Sequence, residues 1–331
     1  MATRLAPFAI ALTLAPLACG GPAQDDAAQP IPTDELVRTA DPYARGYTDE
    51  DFPRIRELAE GVYSYEQLRA AGEEMFTTVS MFVVTDEGVL VADGQGNVDE
   101  TQRMIDHIAE ITDQPIRHVV ICSDHGDHTG GNSVFPSDAA FYAHPTSAAT
   151  LEASASSPNR PPTAAPVVLA TEVVEEQLTL ELGGREIQIV FLGRAHTGGD
   201  LSVYLPQEKI LFMSEAYLHR VFPAMRSAYP SEWVGVLERA QAMDADVYVP
   251  GHGFVDSPPI LKAELEVYRQ AVATVVAEGT RLHGMGLSLE EAQAQAQFGD
   301  LDNWSLRSSQ GSRAIQQVYA ELNSELPGGG E

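Results

Sequence analysis

Residues Cys122 to Gly131 read Cys-Ser-Asp-His-Gly-Asp-His-Thr-Gly-Gly and form the most informative stretch of this chain. They place His125, Asp127 and His128 within four residues, directly after the apolar run 118–121 (His-Val-Val-Ile), which predicts a buried strand. A loop that leaves a strand can direct alternate side chains to one point. Imidazole and carboxylate groups are the usual ligands of a hydrolytic zinc, so the stretch predicts a metal site at a strand end.

Three further loops at predicted strand ends carry the same kinds of side chain: 193–200 with His196, 211–215 with Glu215, and 249–253 with His252. Glycines beside the two histidines let the backbone turn sharply and approach a site closely. One such loop alone could simply hold a surface or capping histidine. Four of them in this order favour one shared metal site.

In this order and spacing the four loops, over about Val62 to Asp256, resemble the metallo-β-lactamase superfamily. The first motif of that family is His-x-His-x-Asp-His. A histidine flanked by Gly and Asp, an Asp at a strand end, and a Gly-His pair follow it. The resemblance implies an α/β fold of the αββα type, in which two sheets pack between outer helices and the metals lie at one edge between the sheets. Strands interleaved with helices agree with such an architecture.

The resemblance also implies two metal sites. The ligands of the first would be the residue at 123 with His125 and His196, those of the second Asp127, His128 and His252, and Glu215 stands where the family has a metal-bridging Asp. Asp127 would also be the catalytic residue, orienting the attacking water or accepting its proton. Asp93 matches a position that often braces the histidine loop.

Two positions depart from the family pattern. Ser123 replaces the first histidine, and a serine hydroxyl is a weak neutral ligand for zinc. Glu215 keeps the charge of the bridging Asp but displaces its carboxylate by about one bond length. We therefore expect one tightly held zinc at the site of Asp127 and a weaker second metal at the site of His125. Imidazole-rich ligation and export favour zinc, although the ligand types do not exclude iron.

The chain has 331 residues, 44% of them apolar, which suffices for one large domain or two small ones. It carries 48 acidic and 20 basic residues and a net charge of −28 at pH 7. Such a surface repels phosphate backbones, so nucleic acid is not expected as a partner. The expected partner is a small-molecule substrate, and nothing in the sequence indicates an oligomeric state.

The first 19 residues have the pattern of an export signal. Arg4 precedes the apolar stretch 5–18, which is too short to span a membrane and has the length of a signal-peptide core. The sequence Leu-Ala-Cys-Gly that follows resembles a bacterial lipoprotein cleavage site with Cys19 as the lipidated residue. We expect a signal peptide over 1–19 and a protein in the bacterial periplasm or at the outer surface, held to the membrane only by a lipid at Cys19. Plain secretion and a buried N-terminal helix are the alternatives.

The remaining chain divides into three parts. Residues 20–55 are acidic and Pro-rich and predict a flexible tether. Residues 56–258 form the expected metallo-β-lactamase-like domain, and 259–331 form a C-terminal helical extension packed on it. Helical patterns cover 98–111, a segment after an expected N-cap at Ser231, 260–280, 288–297 with a capping box of Ser288 and Glu291, and 309–323.

Two sets of side chains allow two interpretations each. Cys122 is either a metal ligand or a buried inert thiol at the end of an apolar strand. With Cys19 lipidated, it has no cysteine left to pair with in an intramolecular disulfide. Phe222, Met225 and Tyr229 form either an apolar wall of the pocket or part of the core.

The leading hypothesis is an exported zinc-dependent hydrolase that acts on a small ester, lactone, thioester or β-lactam through a metal-activated water. A β-lactamase role in antibiotic breakdown agrees with export, but a fold does not identify a substrate. The alternative is a metal- or ligand-binding lipoprotein without turnover, which Ser123 and Glu215 favour and the intact second ligand set opposes. Oxidative members of the family rely on the first histidine or carry Glu where this chain has His125, and its nucleases carry an extra domain, so neither role is expected.

Overall fold

The computed structural model describes residues 37–327 of the chain. The predicted signal peptide, its Cys19, and residues 20–36 of the predicted tether lie outside the described residues. The described part consists of β-strands and α-helices with short 3-10 turns at Asp49–Asp51, Asn132–Val134 and Gly299–Asn303.

Twelve strands occur within these residues: β1 Arg54–Ala59, β2 Val62–Ala71, β3 Glu74–Thr85, β4 Gly88–Ala92, β5 Ile116–Val120, β6 Ala140–Ala143, β7 Glu172–Val173, β8 Gln177–Leu182, β9 Arg185–Phe191, β10 Leu201–Leu205, β11 Ile210–Leu218 and β12 Val247–His252. The described part also contains seven α-helices: α1 Val98–Ile111, α2 Gly126–Thr129, α3 Pro145–Ala155, α4 Pro230–Ala242, α5 Pro258–Gly284, α6 Leu289–Gln295 and α7 Arg307–Leu322.

The strands form two half-sheets that meet at one point. The first half-sheet runs in the order β1-β2-β3-β4-β5-β6-β7, and the second in the order β12-β11-β10-β9-β8. They join where His252, at the end of β12, pairs with Thr78 of β3. Within the first half-sheet, β4 to β7 run parallel, so their carboxyl ends lie at one edge. The loop with His125 and the helix α2 follow β5 at this edge, and the other predicted ligands come from the loop after β9, from β11 and from the end of β12 in the second half-sheet.

Three hydrophobic cores make the layers of the fold. Leu90 of the first half-sheet and Phe212 of the second are fully buried in the core between the sheets. Met104 of α1 and Leu151 of α3 pack on the outer face of the first half-sheet. Helices α4, α5 and α7 cover the outer face of the second, where Trp233 is fully buried. The layers therefore follow the order helix, sheet, sheet, helix, which confirms the predicted αββα sandwich.

The helices follow the apolar spacing of the sequence. Helix α1 covers the predicted residues 98–111, and Ser288 and Glu291 form the predicted capping box at the start of α6. The prediction of Ser231 as an N-cap is wrong, because α4 begins at Pro230 and Tyr229 is its N-cap residue. Proline lacks the N–H that a helix cannot satisfy in its first turn, so it is favoured there. Across residues 37–327, no helix is both long and apolar enough to cross a membrane.

Part of the predicted tether is packed on the domain. Arg45 makes two hydrogen bonds of 3.0 and 2.7 Å with Asp256, and both side chains are nearly buried. The ring of Tyr47 stacks on Phe254 at 5.3 Å. Residues 37–53 thus belong to the packed domain and not to a flexible tether, because a buried ion pair and a stacked aromatic pair hold them against β12 and the loop after it.

Candidate metal centre

All six predicted metal ligands come together at the edge where the half-sheets meet. They form two groups whose ligand atoms lie within 4.8 Å of one another: Asp127, His128, Glu215 and His252 in one, and His125, His196 and Glu215 in the other. The short helix α2 presents His128 from its buried side. Asp127 also lies on α2, and the remaining ligands lie on β11, at the end of β12, or in the loops after β5 and β9. Glu215 belongs to both groups.

The carboxylate of Glu215 is the hub of the cluster. Its Oε2 accepts a hydrogen bond from the Ser123 hydroxyl and lies 2.9 Å from His125 Nδ1. Its Oε1 lies 3.2 Å from His196 Nε2 and 3.3 Å from His252 Nε2. The Glu215 carboxylate thus faces both histidine groups. The serine that replaces the first histidine of the family hydrogen-bonds to this carboxylate.

The outer partners of two histidines fix the direction of their inner nitrogens. His252 Nδ1 lies 2.9 Å from the carbonyl oxygen of Thr77, and His128 Nδ1 lies 3.0 Å from Asp93 Oδ2. A ring nitrogen that donates outward leaves the other nitrogen free to bind a metal. The two Nε2 atoms face each other at 3.4 Å. Such inward-facing imidazole nitrogens beside carboxylates fit a zinc ion.

The ring nitrogens of the second histidine pair also face each other. His196 Nε2 lies 3.0 Å from His125 Nδ1. The His196 ring is nearly buried and packs edge-on against Trp233 at 5.4 Å. Trp233 itself is held by a hydrogen bond from its Nε1 to the Ala216 carbonyl at 2.9 Å. The buried tryptophan thus orients a candidate ligand.

Asp93 braces the histidine loop as the resemblance implied. It has a positive φ of 63°, and its Oδ1 accepts a hydrogen bond from the Cys122 backbone N–H at 2.8 Å. Its Oδ2 accepts a hydrogen bond from the Ser214 hydroxyl and also faces His128. Ser214 also has a positive φ, of 46°, in the region that favours glycine. Its side chain therefore adds a contact to the brace that a glycine would lack.

The charges of the cluster shift its pKa values together. Burial alone would raise the pKa of Glu215, but His196, His125 and His128 hold it well below its ordinary value. Burial would lower the pKa of His125, and the Glu215 carboxylate raises it to about 9. Burial would likewise lower that of His252, but hydrogen bonds with Asp127 and Glu215 raise it to about 10. A cluster of this kind stabilises positive charge, as a cation site requires.

A cavity of about 220 Å³ opens over the cluster. Its lining includes His125, Asp127, His196, Glu215 and His252, and its apolar wall consists of Phe76, Leu218, Val221, Ala224 and Leu306. Phe222 and Met225 do not line it and are buried in the core on the outer face of the second half-sheet. Tyr229 does not line it either; it is nearly buried at the N-cap of α4, with the Arg194 guanidinium 4.0 Å from the centre of its ring. Cys122 is buried between the sheets, where burial raises the pKa of its thiol, so it is an inert core residue and not a ligand.

Three arginines also line the cavity, and the sequence did not predict them. Arg69 Nε lies 3.3 Å from Asp127 Oδ2, and Arg226 and Arg313 also line the cavity. They come from β2, from the segment between β11 and α4, and from α7. No local sequence pattern predicts that these arginines line the cavity, because their closeness to the metal centre depends on tertiary packing. For Arg313 this is the packing of helix α7.

This fold and the ligand order identify the class of protein. The family model of the metallo-β-lactamase superfamily matches residues 75–252, more than half of the chain. The chain belongs to this superfamily.

Known relatives in the superfamily are distant. A 2,4-dinitroanisole O-demethylase subunit alpha from Nocardioides sp. (strain JS1661) is 25% identical over 194 residues, 57% of this chain and 56% of the relative. A linear primary-alkylsulfatase from Pseudomonas sp. (strain ATCC 19151) is 21% identical over 249 residues, 62% of this chain and 47% of the relative. The chain thus matches about half the length of these two relatives.

A solved metallo-β-lactamase from Pontibacter korlensis has a similar structure. It superposes with a TM-score of 0.57 at 20% identity, over 66% of this chain and 98% of that one. At this level of identity the likeness shows a shared fold.

Proposed function

We propose that this protein is a zinc-dependent hydrolase that acts on a small ester, lactone, thioester or β-lactam. The observation that carries the proposal is the convergence of four histidines and two carboxylates beneath a cavity with an apolar wall. Zinc bound there would lower the pKa of water toward about 7 and polarise the substrate carbonyl. Asp127, His128 and His252 would hold the tighter ion, and His125, His196 and Glu215 the weaker one.

Asp127 is suited to handle the proton of the attacking water. Burial and the charge of Glu215 would raise its pKa, but the hydrogen bond with His252 and the charge of His128 lower it, so the carboxylate is ionised. Its Oδ2 lies 3.3 Å from His252 Nε2 and 3.3 Å from Arg69 Nε, which fix its orientation. The side chain is one-fifth exposed, on the cavity side. The ionised, solvent-accessible carboxylate can therefore accept a hydrogen bond through a proton of the attacking water and so orient it.

The test is a panel of esters, lactones, thioesters and β-lactams with the wild type and His252→Ala. We expect turnover by the wild type, its loss after dialysis against a chelator, its return with zinc, and a loss of at least about 100-fold in kcat/KM in the variant. His283→Ala is the matched control, because His283 lies on α5 and faces Asn323. Activity that survives His252→Ala or chelation would refute the proposal. A chain that binds zinc without turnover would support a binding lipoprotein instead.

We also propose that the protein is exported and anchored by a lipid at Cys19. The apolar stretch after Arg4 and the Leu-Ala-Cys-Gly sequence support this location. Mass spectrometry of the protein expressed in a bacterial host should show a lipid on an N-terminal Cys19, and Cys19→Ala should release the protein from membranes. An unmodified Cys19 on a soluble, cleaved protein would indicate plain secretion.

A further inference from the structure

Three arginines line the cavity over the candidate metal centre in a chain that carries an excess of 28 negative charges. Arg69 is paired with Asp127 at 3.3 Å and belongs to the cluster itself. Arg226 and Arg313 are exposed at the mouth and form no ion pair or hydrogen bond with any side chain among residues 37–327. The net negative charge of the chain repels anions at long range. The two arginines at the cavity mouth, unpaired within the described residues, oppose this repulsion locally and favour the binding of an anion there.

Neighbouring arginines behave differently. Arg220 donates two hydrogen bonds to Glu264, at 2.5 and 2.8 Å, and Arg307 pairs with Asp302 at 2.7 Å. Acidic partners are thus common in this part of the molecule, and 48 acidic residues are available in the chain. Arg226 and Arg313 have none of these partners within the described residues. Their guanidinium groups are therefore available to bind a ligand.

The backbone around both arginines is fixed. Helix α7 places Gln310 and Arg313 on one face, three residues apart, and Leu306 precedes them as the N-cap residue; all three line the cavity. Its start is held on β3, because the Leu306 N–H and the Ser308 hydroxyl donate to Glu74 at 2.6 and 3.0 Å.

The segment that carries Arg226 is tied to the same support. Val221 forms a bridge with Ser305, and the Phe222 N–H donates to the Ser305 carbonyl at 2.9 Å. On the other side of Arg226, Gln317 of α7 donates to the Ala228 carbonyl at 2.8 Å. The two arginines therefore stand on one braced unit, and their placement at the mouth needs no rearrangement.

We infer that the substrate is an amphiphilic organic anion, whose negative group is bound by Arg226 and Arg313 while its apolar part lies against Phe76, Leu218 and Leu306. This inference rests on the proposed hydrolysis and further specifies that the substrate is negatively charged. A guanidinium group binds a carboxylate, sulfonate or phosphonate through paired hydrogen bonds, each strengthened by charge. The apolar wall excludes water from the apolar part of the substrate, which lies between its anionic group and the bond to be cleaved.

The test compares matched substrates on the full-length, zinc-loaded protein. We would measure a 4-nitrophenyl ester of pentanoic acid and the mono-4-nitrophenyl ester of glutaric acid, with a sulfonate analogue of the latter, in the wild type, Arg226→Gln, Arg313→Gln and the double variant. Each single change should raise KM for the anionic esters about 10-fold with little change in kcat, because it removes one charge-assisted hydrogen-bonding group from the anion site. The neutral ester should be unaffected. Arg103→Gln, an exposed arginine on α1 outside the cavity, is the control and should change nothing.

Salt dependence and a binding titration complete the test. KM for the anionic esters should rise with sodium chloride in the wild type, and this dependence should be lost in the double variant. Calorimetric binding of hexane-1-sulfonate to the zinc-loaded wild type should be weakened at least 10-fold in the double variant. An anion preference that is equal in all variants would overturn the inference while leaving hydrolysis intact. Sulfonate binding that depends on the arginines without turnover of any ester would support the inference and refute the proposed hydrolysis.

Discussion

At the scale of single residues, the two departures from the family pattern belong together. The shorter Ser123 leaves room beside His125, and the longer Glu215 extends into it and accepts the serine hydrogen bond. The six ligands were predictable from the sequence because they follow one another in a fixed order of loops. The coupling between Ser123 and Glu215 was not, because it depends on a contact between residues 92 positions apart.

Glu215→Gln should destabilise the metal-free protein. The change removes the negative charge that faces His125, His196 and His252, so buried ring nitrogens lose their acceptor. We expect the free energy of unfolding in urea, measured with a chelator present, to fall by about 2–4 kcal/mol, the usual cost of breaking a buried charge pair. The stabilisation that added zinc provides should also shrink. The control is Glu232→Gln, which removes an exposed partner of Arg194 and should cost less than about 1 kcal/mol. Equal effects of the two changes would contradict the role of Glu215 as the hub.

At the scale of elements, the end of β12 positions the site. Gly253 follows His252 with a φ of 85°, and a Cβ at this position would lie 2.0 Å from the His219 carbonyl oxygen. The turn therefore requires glycine, both for its positive φ and for the close approach of the two backbones.

Gly253→Ala should cost at least about 2 kcal/mol of stability, because it combines backbone strain with a clash against fixed backbone atoms. It should also weaken zinc binding, since the turn fixes His252. Gly284→Ala is the matched control: it lies at the end of α5 with open space around a Cβ, and it should be neutral or stabilising by up to about 1 kcal/mol. Thermal melts with and without zinc would check both. A Gly253→Ala protein as stable as the control would show that the turn has no such constraint.

Sequence patterns predicted the helices better than the strands. Helix α1 and the capping box of α6 follow from apolar spacing and cap chemistry, which are local. By contrast, β11 continues through Ser214 and Glu215 to Leu218, all of it buried, where the sequence pattern predicted a strand-end loop over 211–215. Ser214 and Glu215 are buried because they contact Asp93 and the residues of the metal centre. Contacts between distant parts of the chain leave no pattern in the local sequence.

At the scale of the whole molecule, one charge network joins distant parts of the chain. Glu264 of α5 accepts two hydrogen bonds from Arg220, which follows β11, and a third from Arg38 at 3.4 Å near the start of the described residues. This network, with the Arg45 pair, explains why residues 37–53 are packed, which composition alone did not predict. The position of Arg226 and Arg313 at the cavity mouth could not be predicted for a similar reason. It depends on how α7 packs on the rest of the domain, and local sequence does not specify that packing.

Glu264 should contribute to stability in an acid-sensitive way. Burial alone would raise its pKa, but the His219 imidazole, 3.6 Å away, and the hydrogen bonds from Arg220 lower it from 4.5 to about 2. A carboxyl group whose pKa is lower in the folded state stabilises the protein fully above pH 4.5, and this contribution is lost as the pH falls toward about 2. Urea unfolding between pH 7 and 3 should show a steeper acid loss for the wild type than for Glu264→Gln. The exposed carboxylate of Glu290 is the control, and Glu290→Gln should keep the wild-type slope. A slope unchanged by Glu264→Gln would exclude this role.

The most direct test of a metal centre built around Ser123 and Glu215 is metal content. Elemental mass spectrometry on the full-length chain, purified without chelator and supplied with zinc, would be compared with the Ser123→His variant. We predict about one zinc per chain in the wild type and about two in the variant, because a histidine at 123 restores a third strong ligand to the weaker site. Absence of bound metal in the wild type, even with zinc supplied, would contradict the account.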